Sequence, residues 1–222
     1  MTRIWACYSI FQEGATLDAS LFSISGLVDG VIIADGPYDT YTGNETESGE
    51  ETYSILSKWK NEFLTCGRSF EIVRTGKMNE IQKRNQIFQY IKDGDIAFVI
   101  DGDEIAFTNG LERADFYFLR KSMMDIGFVN VLHLRGAWGY RPRIFRVGRR
   151  LRYNKWFDID LVDGTNINLK TMPTYPNGEV NPPSDQRINT IRLVNLSLMF
   201  RSKERDEMGI AIKDALIKRN WK

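Results

Sequence analysis

The chain has 222 residues, 42% of them hydrophobic and 27% charged, with a net charge of +1. This is the make-up of a globular chain with a sizeable core, the length of one large domain. No run of about 18 apolar residues is present to span a membrane, and the opening MTRIWACYSIF lacks a signal-peptide core and cleavage site. Cys7 and Cys66 have no metal-type spacing, so reduced thiols in a cytoplasmic protein are expected.

Ile4 to Phe11 reads as an interior strand, apolar on both faces. Gln12-Glu13-Gly14 breaks it, and Leu17, Leu21, Ile24 and Leu27 follow at helical spacing. Asp29-Gly30 turns the chain into a second short strand, Val31 to Ala34, that stops at Asp35. Strand, helix and strand within so short a stretch predict a parallel crossover. Gly36 to Thr52 is polar, with Pro37, Gly43 and Gly49, and reads as a long exposed loop. Ile55, Leu56, Trp59 and Phe63 mark a second helix, Phe70 to Arg74 a third strand, and Ile81, Phe88 and Ile91 a third helix closed by Asp93-Gly94. Ile96 to Ile100 is the fourth strand.

The first 105 or so residues therefore alternate strand and helix, which predicts an α/β fold with an open, mostly parallel sheet flanked by helices. The later half reads as a mixed α+β part of the same single domain. A helix is expected from Leu111 to Ile126, and strands at Phe128–Leu134, Arg143–Val147 and Ile188–Phe200. The proline-rich stretch from Thr171 to Ser184 reads as a loop, and Lys203 to Trp221 as a closing helix.

Ligands of open α/β sheets bind beyond the C-terminal ends of the strands. Asp35 and Asp101 stand at two such ends, with Glu13 and Asp39 in the loops just after a strand. The fourth strand runs into a knot of acid, Asp101-Gly102-Asp103-Glu104. Three carboxylates at the end of a buried segment call for a partner, because burying them unpaired is costly. Arginine, a metal ion or water at a surface turn would each serve. In extended chain Asp101 and Asp103 share a face, and two hard oxygen donors suit Mg2+ or Mn2+ together with the oxygens of a phosphate. A lysine-bearing phosphate loop, GxGxxG, HExxH, GxSxG and paired CxxC are all absent.

Four stretches together resemble the GT-A-fold glycosyltransferases, in particular the family-two-like nucleotide-sugar transferases. They are FQEG with Glu13, VIIADGPYDTYTG from Val31, KMNEIQKRNQIFQYIKDGDIAFVIDGDEI from Lys77, and YRPRIFRVGRRLRYNKWFDID from Tyr140. The likeness runs from Ile4 to Asp160, the third stretch being the most specific. It implies a GT-A sheet whose first half, to about residue 105, binds the nucleotide and whose second half faces the acceptor. Glu13 and Asp35 would line the nucleotide pocket, with Asp39 near the base or ribose and Arg84 near the diphosphate. Asp101 and Asp103 would form the DxD pair on a divalent ion, Asp103 as the direct ligand and Asp101 also nearer the ribose. Asp158 would be the general base of an inverting transfer to an acceptor hydroxyl, with Asp160 and Glu104 in reserve. Two departures stand out: Phe157 precedes Asp158 where the family commonly has histidine, and the single histidine, His133, reads as a core or edge residue rather than a late metal ligand.

Charge is strongly segregated. Asp35 to Thr52 carries six acidic residues and no basic one, and Arg135 to Lys155 eight basic residues and no acidic one. Within the basic segment Arg143 and Arg146 match the family stretch and are expected to meet the diphosphate or an anionic acceptor. A solvated hairpin facing the acidic loop is the plainer reading. A degenerate transferase domain that binds nucleic acid through arginines interleaved with Trp138, Tyr140, Phe145, Tyr153 and Trp156 is the competing function, though nucleic acid is not the partner the motifs favour. A nucleotide-sugar donor and an acceptor of unknown class, whether saccharide, lipid or protein, are the expected partners.

Overall fold

The computed structural model describes residues 1–108, 125–132, 138–155, 158–175 and 180–195, together with Ala211 and Asp214. His133, Trp156, Phe157 and nearly all of the two helices expected at Leu111–Ile126 and Lys203–Trp221 lie outside that set. Among the described residues no helix is long and apolar enough to cross a membrane.

The first half alternates as its pattern predicts. It runs β1 (Ile4–Ile10), α1 (Ala15–Ile24), β2 (Gly30–Asp35), α2 (Glu50–Thr65), β3 (Ser69–Arg74), α3 (Glu80–Phe88) and β4 (Ile96–Asp101). β5 (Glu104–Thr108), β6 (Ile126–Leu132), β7 (Trp138–Arg146) and β11 (Arg187–Asn195) complete an eight-stranded sheet in the order β3-β2-β1-β4-β7-β6-β11-β5. β8 (Arg152–Lys155), β9 (Asp158–Asp160) and β10 (Asn166–Asn168) form a separate three-stranded sheet. In the large sheet β3, β2, β1 and β4 are mutually parallel, β7 is antiparallel to β4 and β6, and β5 is antiparallel to β11. The result is a mixed α/β architecture around a large, mostly parallel sheet, consistent with a GT-A-like fold.

The hand of the crossovers decides which helix covers which face. β1, β2 and β3 step in one direction, so right-handed connections put α1 and α2 on one face. The step from β3 back past β1 to β4 puts α3 on the other. Side-chain alternation along β1 matches this: Ile4, Ala6, Tyr8 and Ile10 pack with Leu17, Leu21, Leu56 and Phe63, whereas Trp5 and Cys7 pack on the side of Ile87 and Phe88. The point where the strand order reverses lies between β1 and β4.

The sheet must curl. β5 stands four places from β4 in the order, about 19 Å away if the strands lay flat. Asp101 and Glu104 are three Cα steps apart, a reach of about 11 Å. Curling brings the last strand back against α1, where Ala19 meets Ile105. The acidic knot is thus the turn at which the two ends of the curl approach each other.

Four local expectations change. Thr52 belongs to α2 rather than the loop: the helix starts after Gly49, with no side chain capping it and hence no signal in the sequence. Ile126 opens β6 and pairs with Phe145 rather than closing a helix, its buried β-branched run IGFVNVL favouring a strand. Ser184 begins a single 3-10 turn ahead of β11. β7 also reaches back to Trp138, well before Arg143, and runs through Pro142.

Candidate functional site

In register, Ser9 lies beside Asp101, Ile10 beside Asp35, and Asp35 beside Arg74. The ends of β1 to β4 are therefore level, and their loops open on one edge at the reversal point, as expected of a ligand site in such a sheet.

α3 delivers the basic side chains. Its start is fixed by a capping box in which Asn79 accepts from the Gln82 amide and Gln82 accepts from the Asn79 amide. Residues three and four apart share a face, and this helix buries Lys83, Arg84, Ile87 and Phe88. The stripe is apolar at its C-terminal end and charged where it meets the strand ends.

Arginine is the partner the acidic knot calls for: two arginines lie under it. Arg84 donates to Asp101 Oδ1 at 2.8 Å and also to Glu80. Arg143 donates to Asp101 Oδ2 at 3.0 Å and also to Glu104. The second oxygen of Glu104 accepts from the Asp101 amide at 3.1 Å. Asp103 Oδ1 lies 3.4 Å from the side-chain Nδ2 of Asn195 in β11. Arg143 reaches the knot through a bulge. Opposite β6 the register shifts so that Gly127 faces Ile144 and Phe128 faces Pro142, leaving Arg143 as the extra residue. Pro142 cannot donate to a ladder, so the Arg-Pro-Arg sequence suits such a break, which re-aims one side chain.

Burial sets the charge states. Asp101 would rise with burial, but Arg143 and Arg84 hold it below the usual carboxylate range. Glu104, wholly enclosed, is pushed up to about 7 by burial, against the pull of Arg143 and with added repulsion from Asp101 and Asp103. Burial likewise raises Glu80 against the pull of Arg84. Tyr153 of β8 adds its ring to this group, stacked on Phe88 with the Arg84 guanidinium 5.4 Å from its centre. Asn85, next along α3, pairs both ways with the Tyr153 backbone at 2.8 Å and docks the small sheet beside the cluster.

The other expected residues are placed as follows. Asp35 is fully buried and accepts from Ser48 Oγ at 2.5 Å and from Arg74. Glu13 packs on the knot, its Cγ 3.0 Å from where a Cβ on Gly102 would stand, and its carbonyl accepts from Thr52. Asp39 is exposed in the loop after β2. Arg146 is not brought to this edge. It pairs with Ile96 at the start of β4, donates to Gly94 O at 3.1 Å and lies near Asp125. Asp158 and Asp160 share a face of β9, opposite Ile159. Asp160 accepts from Asn166 and Arg152, each at 2.8 Å, and hydrogen bonds from Asn166, Asn154 and Arg152 hold it down at about 2. Asp158 Oδ1 is buried with no hydrogen-bond partner among the described residues.

Four contributors were not picked out in the sequence, Glu80, Lys83, Arg74 and Ser48, and Tyr153 was named there only as an aromatic of the competing nucleic-acid reading. Arg74 carried a usable signal, since it ends a parallel strand level with Asp35. Among the described residues, Arg143, Arg146 and Arg152 of the basic segment pair with Asp101, Glu104, Asp125 and Asp160 rather than with the acidic loop. A cleft of about 360 Å³ opens elsewhere, between the far end of α3 and the turn at 147–152, lined by Phe88, Gln89, Val147, Arg149 and Leu151. It lies away from the strand-end charges, so the site is placed by chemistry rather than by cavity size.

No group of three histidine, cysteine, aspartate or glutamate side chains among the described residues is arranged to hold a metal ion. The donor set is the smaller kind. The Asp101 side chain is 29% exposed over arginines that are 10% or less. Guanidiniums beneath a carboxylate orient it and leave one lone pair on each oxygen. That suits Mg2+ or Mn2+ bound by one or two carboxylates, with water and diphosphate oxygens completing the shell.

No family model matches the chain, and no curated protein matches it. Among solved structures 57 chains are similar. One is S. aureus TarS 1-349, with a TM-score of 0.39 and 12% identity over 61% of this chain. The match spans 37% of that 1-349 chain, and a likeness of this size bears on neither activity nor substrate.

Proposed function

We propose that the chain is an inverting glycosyltransferase that moves a sugar from a nucleoside-diphosphate donor to an acceptor hydroxyl with the help of Mn2+ or Mg2+. The observation that carries this reading is Asp101 at the reversal point of the sheet, gripped from below by Arg84 and Arg143 and still part-exposed above. A carboxylate kept ionised and oriented at a strand end is what a metal–diphosphate complex requires. Asp101 and Asp103 would hold the ion, and when bound it would stabilise charge on the leaving diphosphate. Glu13, Asp35 and Asp39 border the nucleoside end. Arg84 and Arg143 offset the charge gathered at the knot.

In the transfer, the bond from the anomeric carbon to the diphosphate oxygen breaks as the acceptor oxygen bonds to that carbon from the opposite face. The hydroxyl proton passes to a carboxylate. Asp158 suits that role better than Asp160. One of its oxygens has no hydrogen-bond partner among the described residues, whereas Asp160 is tied to Asn166 and Arg152 and is a weak base.

The test is thermal shift with UDP, GDP, CDP, ADP and dTDP, each with and without Mn2+. A diphosphate present at a hundredfold excess over its dissociation constant adds about 2.7 kcal/mol of stability. One diphosphate is expected to raise the melting point only with Mn2+, and Asp103→Ala to abolish that shift without unfolding the chain. Asp158→Asn should keep the shift and lose turnover. No shift with any of the five would refute the reading.

A further inference from the structure

Lys83 has no part in the chemistry just described, yet it is a fully buried lysine. It is 0% exposed, and its amine has no carboxylate within ion-pairing distance among the described residues. Burial pushes its pKa down to about 8. An ammonium removed from water needs strong compensation, and a helix position that only had to fill space would take leucine or methionine. The compensation is specific. Nζ donates to Ile10 O at 3.0 Å and to Gly36 O, and sits 3.8 Å from the centre of the Tyr38 ring.

Those two carbonyls are where the chain leaves β1 and β2. Past Ile10 come Gln12, in a left-handed conformation at φ 58°, and then Glu13. Past Gly36 come Tyr38, whose hydroxyl donates to Ser9 O at 3.0 Å, and Asp39. The two loops are also joined farther out, where Ser48 Oγ accepts from the Gln12 amide at 2.8 Å and Gln12 Oε1 accepts from Gly49. Gly36 admits no side chain, because a Cβ there would stand 2.2 Å from Thr75 O. Lys83 thus binds the roots of both loops at once, donating to a carbonyl of each, and those loops carry Glu13 and Asp39.

We propose that Lys83 is a positioning residue for the nucleoside half of the donor, fixing the separation of the β1 and β2 loops between which base and ribose would lie. This rests on the donor reading above. It goes beyond it in dividing the site: Lys83 governs the nucleoside, and the Asp101–Asp103 turn governs the diphosphate.

Lys83→Met keeps the length and volume of the side chain and removes the charge and the donors. Calorimetric titrations would compare wild type and variant with UDP, GDP, CDP, ADP, dTDP, their free nucleosides, and inorganic pyrophosphate, all with Mn2+. Circular dichroism would establish that the variant is folded, with Lys83→Arg as a second variant that keeps the charge. For the nucleoside diphosphate that wild type binds best, the variant's affinity is expected to fall at least tenfold, with the matching nucleoside weakened equally and pyrophosphate changed less than twofold. Lys83→Arg should recover part of the loss, and steady-state KM for the sugar donor should rise with kcat little changed. Equal weakening of pyrophosphate would reduce Lys83 to a general structural part and overturn the proposal, as would unchanged nucleoside affinity. If wild type binds none of the five diphosphates, the donor reading itself fails and this inference with it.

Discussion

Arg143→Met tests the electrostatic logic of the strand-end cluster. Arg143 is the shared partner of Asp101 and Glu104, and its side chain is 10% exposed beside a Glu104 that is fully enclosed. Removing one member of a buried ion pair costs about 3 to 5 kcal/mol, because the other charge is stranded. Here relief is at hand. Glu104 already sits at about 7, so near neutral pH it takes up a proton at little cost, and Arg84 still holds Asp101. The loss should therefore fall at the lower end, about 3 kcal/mol, which for a chain of this size lowers the melting point by about 6 to 12 °C. The pH dependence has a definite sign. A carboxyl raised on folding contributes stability that is fully present below its unfolded pKa of 4.5 and is lost as pH rises through about 7. Without the guanidinium, Glu104 must stay protonated at still higher pH, each further unit costing about 1.4 kcal/mol. The gap between wild type and Arg143→Met should widen from pH 6 to pH 8.5, and Glu104→Gln in the same background should close much of it. Melting curves across that range are the assay. A variant within 1 kcal/mol of wild type, or a gap that ignores pH, would refute this account of the cluster.

Two further outcomes are expected. Asn79→Ala removes the capping box of α3 and should cost about 1 kcal/mol, with amide exchange speeding up along the helix that carries Lys83 and Arg84. Gly36→Ala would set a Cβ against Thr75 backbone and should destabilise by 2 kcal/mol or more, roughly; Gly26→Ala, with nothing within 4 Å of its added atom, should be near neutral. Chemical denaturation of the pair separates local crowding from any general intolerance of alanine.

The parallel half of the fold was legible because its strands are continuous apolar runs closed by glycine and aspartate, and its helices carry plain stripes such as Leu56, Trp59 and Phe63. β5 was not, because EIAFT follows β4 after two residues and pairs with a strand far along the chain. The small sheet was equally hidden, its strands being three or four residues long and largely polar. At the site, the need for a positive partner at Asp101 could be read from the clustering of acids. Which arginines supply it depends on a helix face and a bulge, and neither leaves a local mark. Lys83 was invisible for a related reason: a lysine inside EIQKRNQIF looks solvated, and only the packing of α3 over the strand ends buries it.

The curl of the sheet also bears on how the chain comes into being. The turn from Asp101 to Glu104 is synthesised long before Arg143 and before the strand that receives β5, where Thr108 pairs with Ile191. On a growing chain the acids of that turn have Arg84 at most for company, and the outer edges of β4 and β5 stand open. Charge at an open edge discourages pairing with other chains, so the knot lowers that risk before its own partners have been made. Its arginine floor is complete only when distant segments of the chain meet, a slow, non-local step. The strand-end cluster is therefore among the last parts to assemble, and a molecule in which Asp101 rests on both Arg84 and Arg143 has brought those distant segments together.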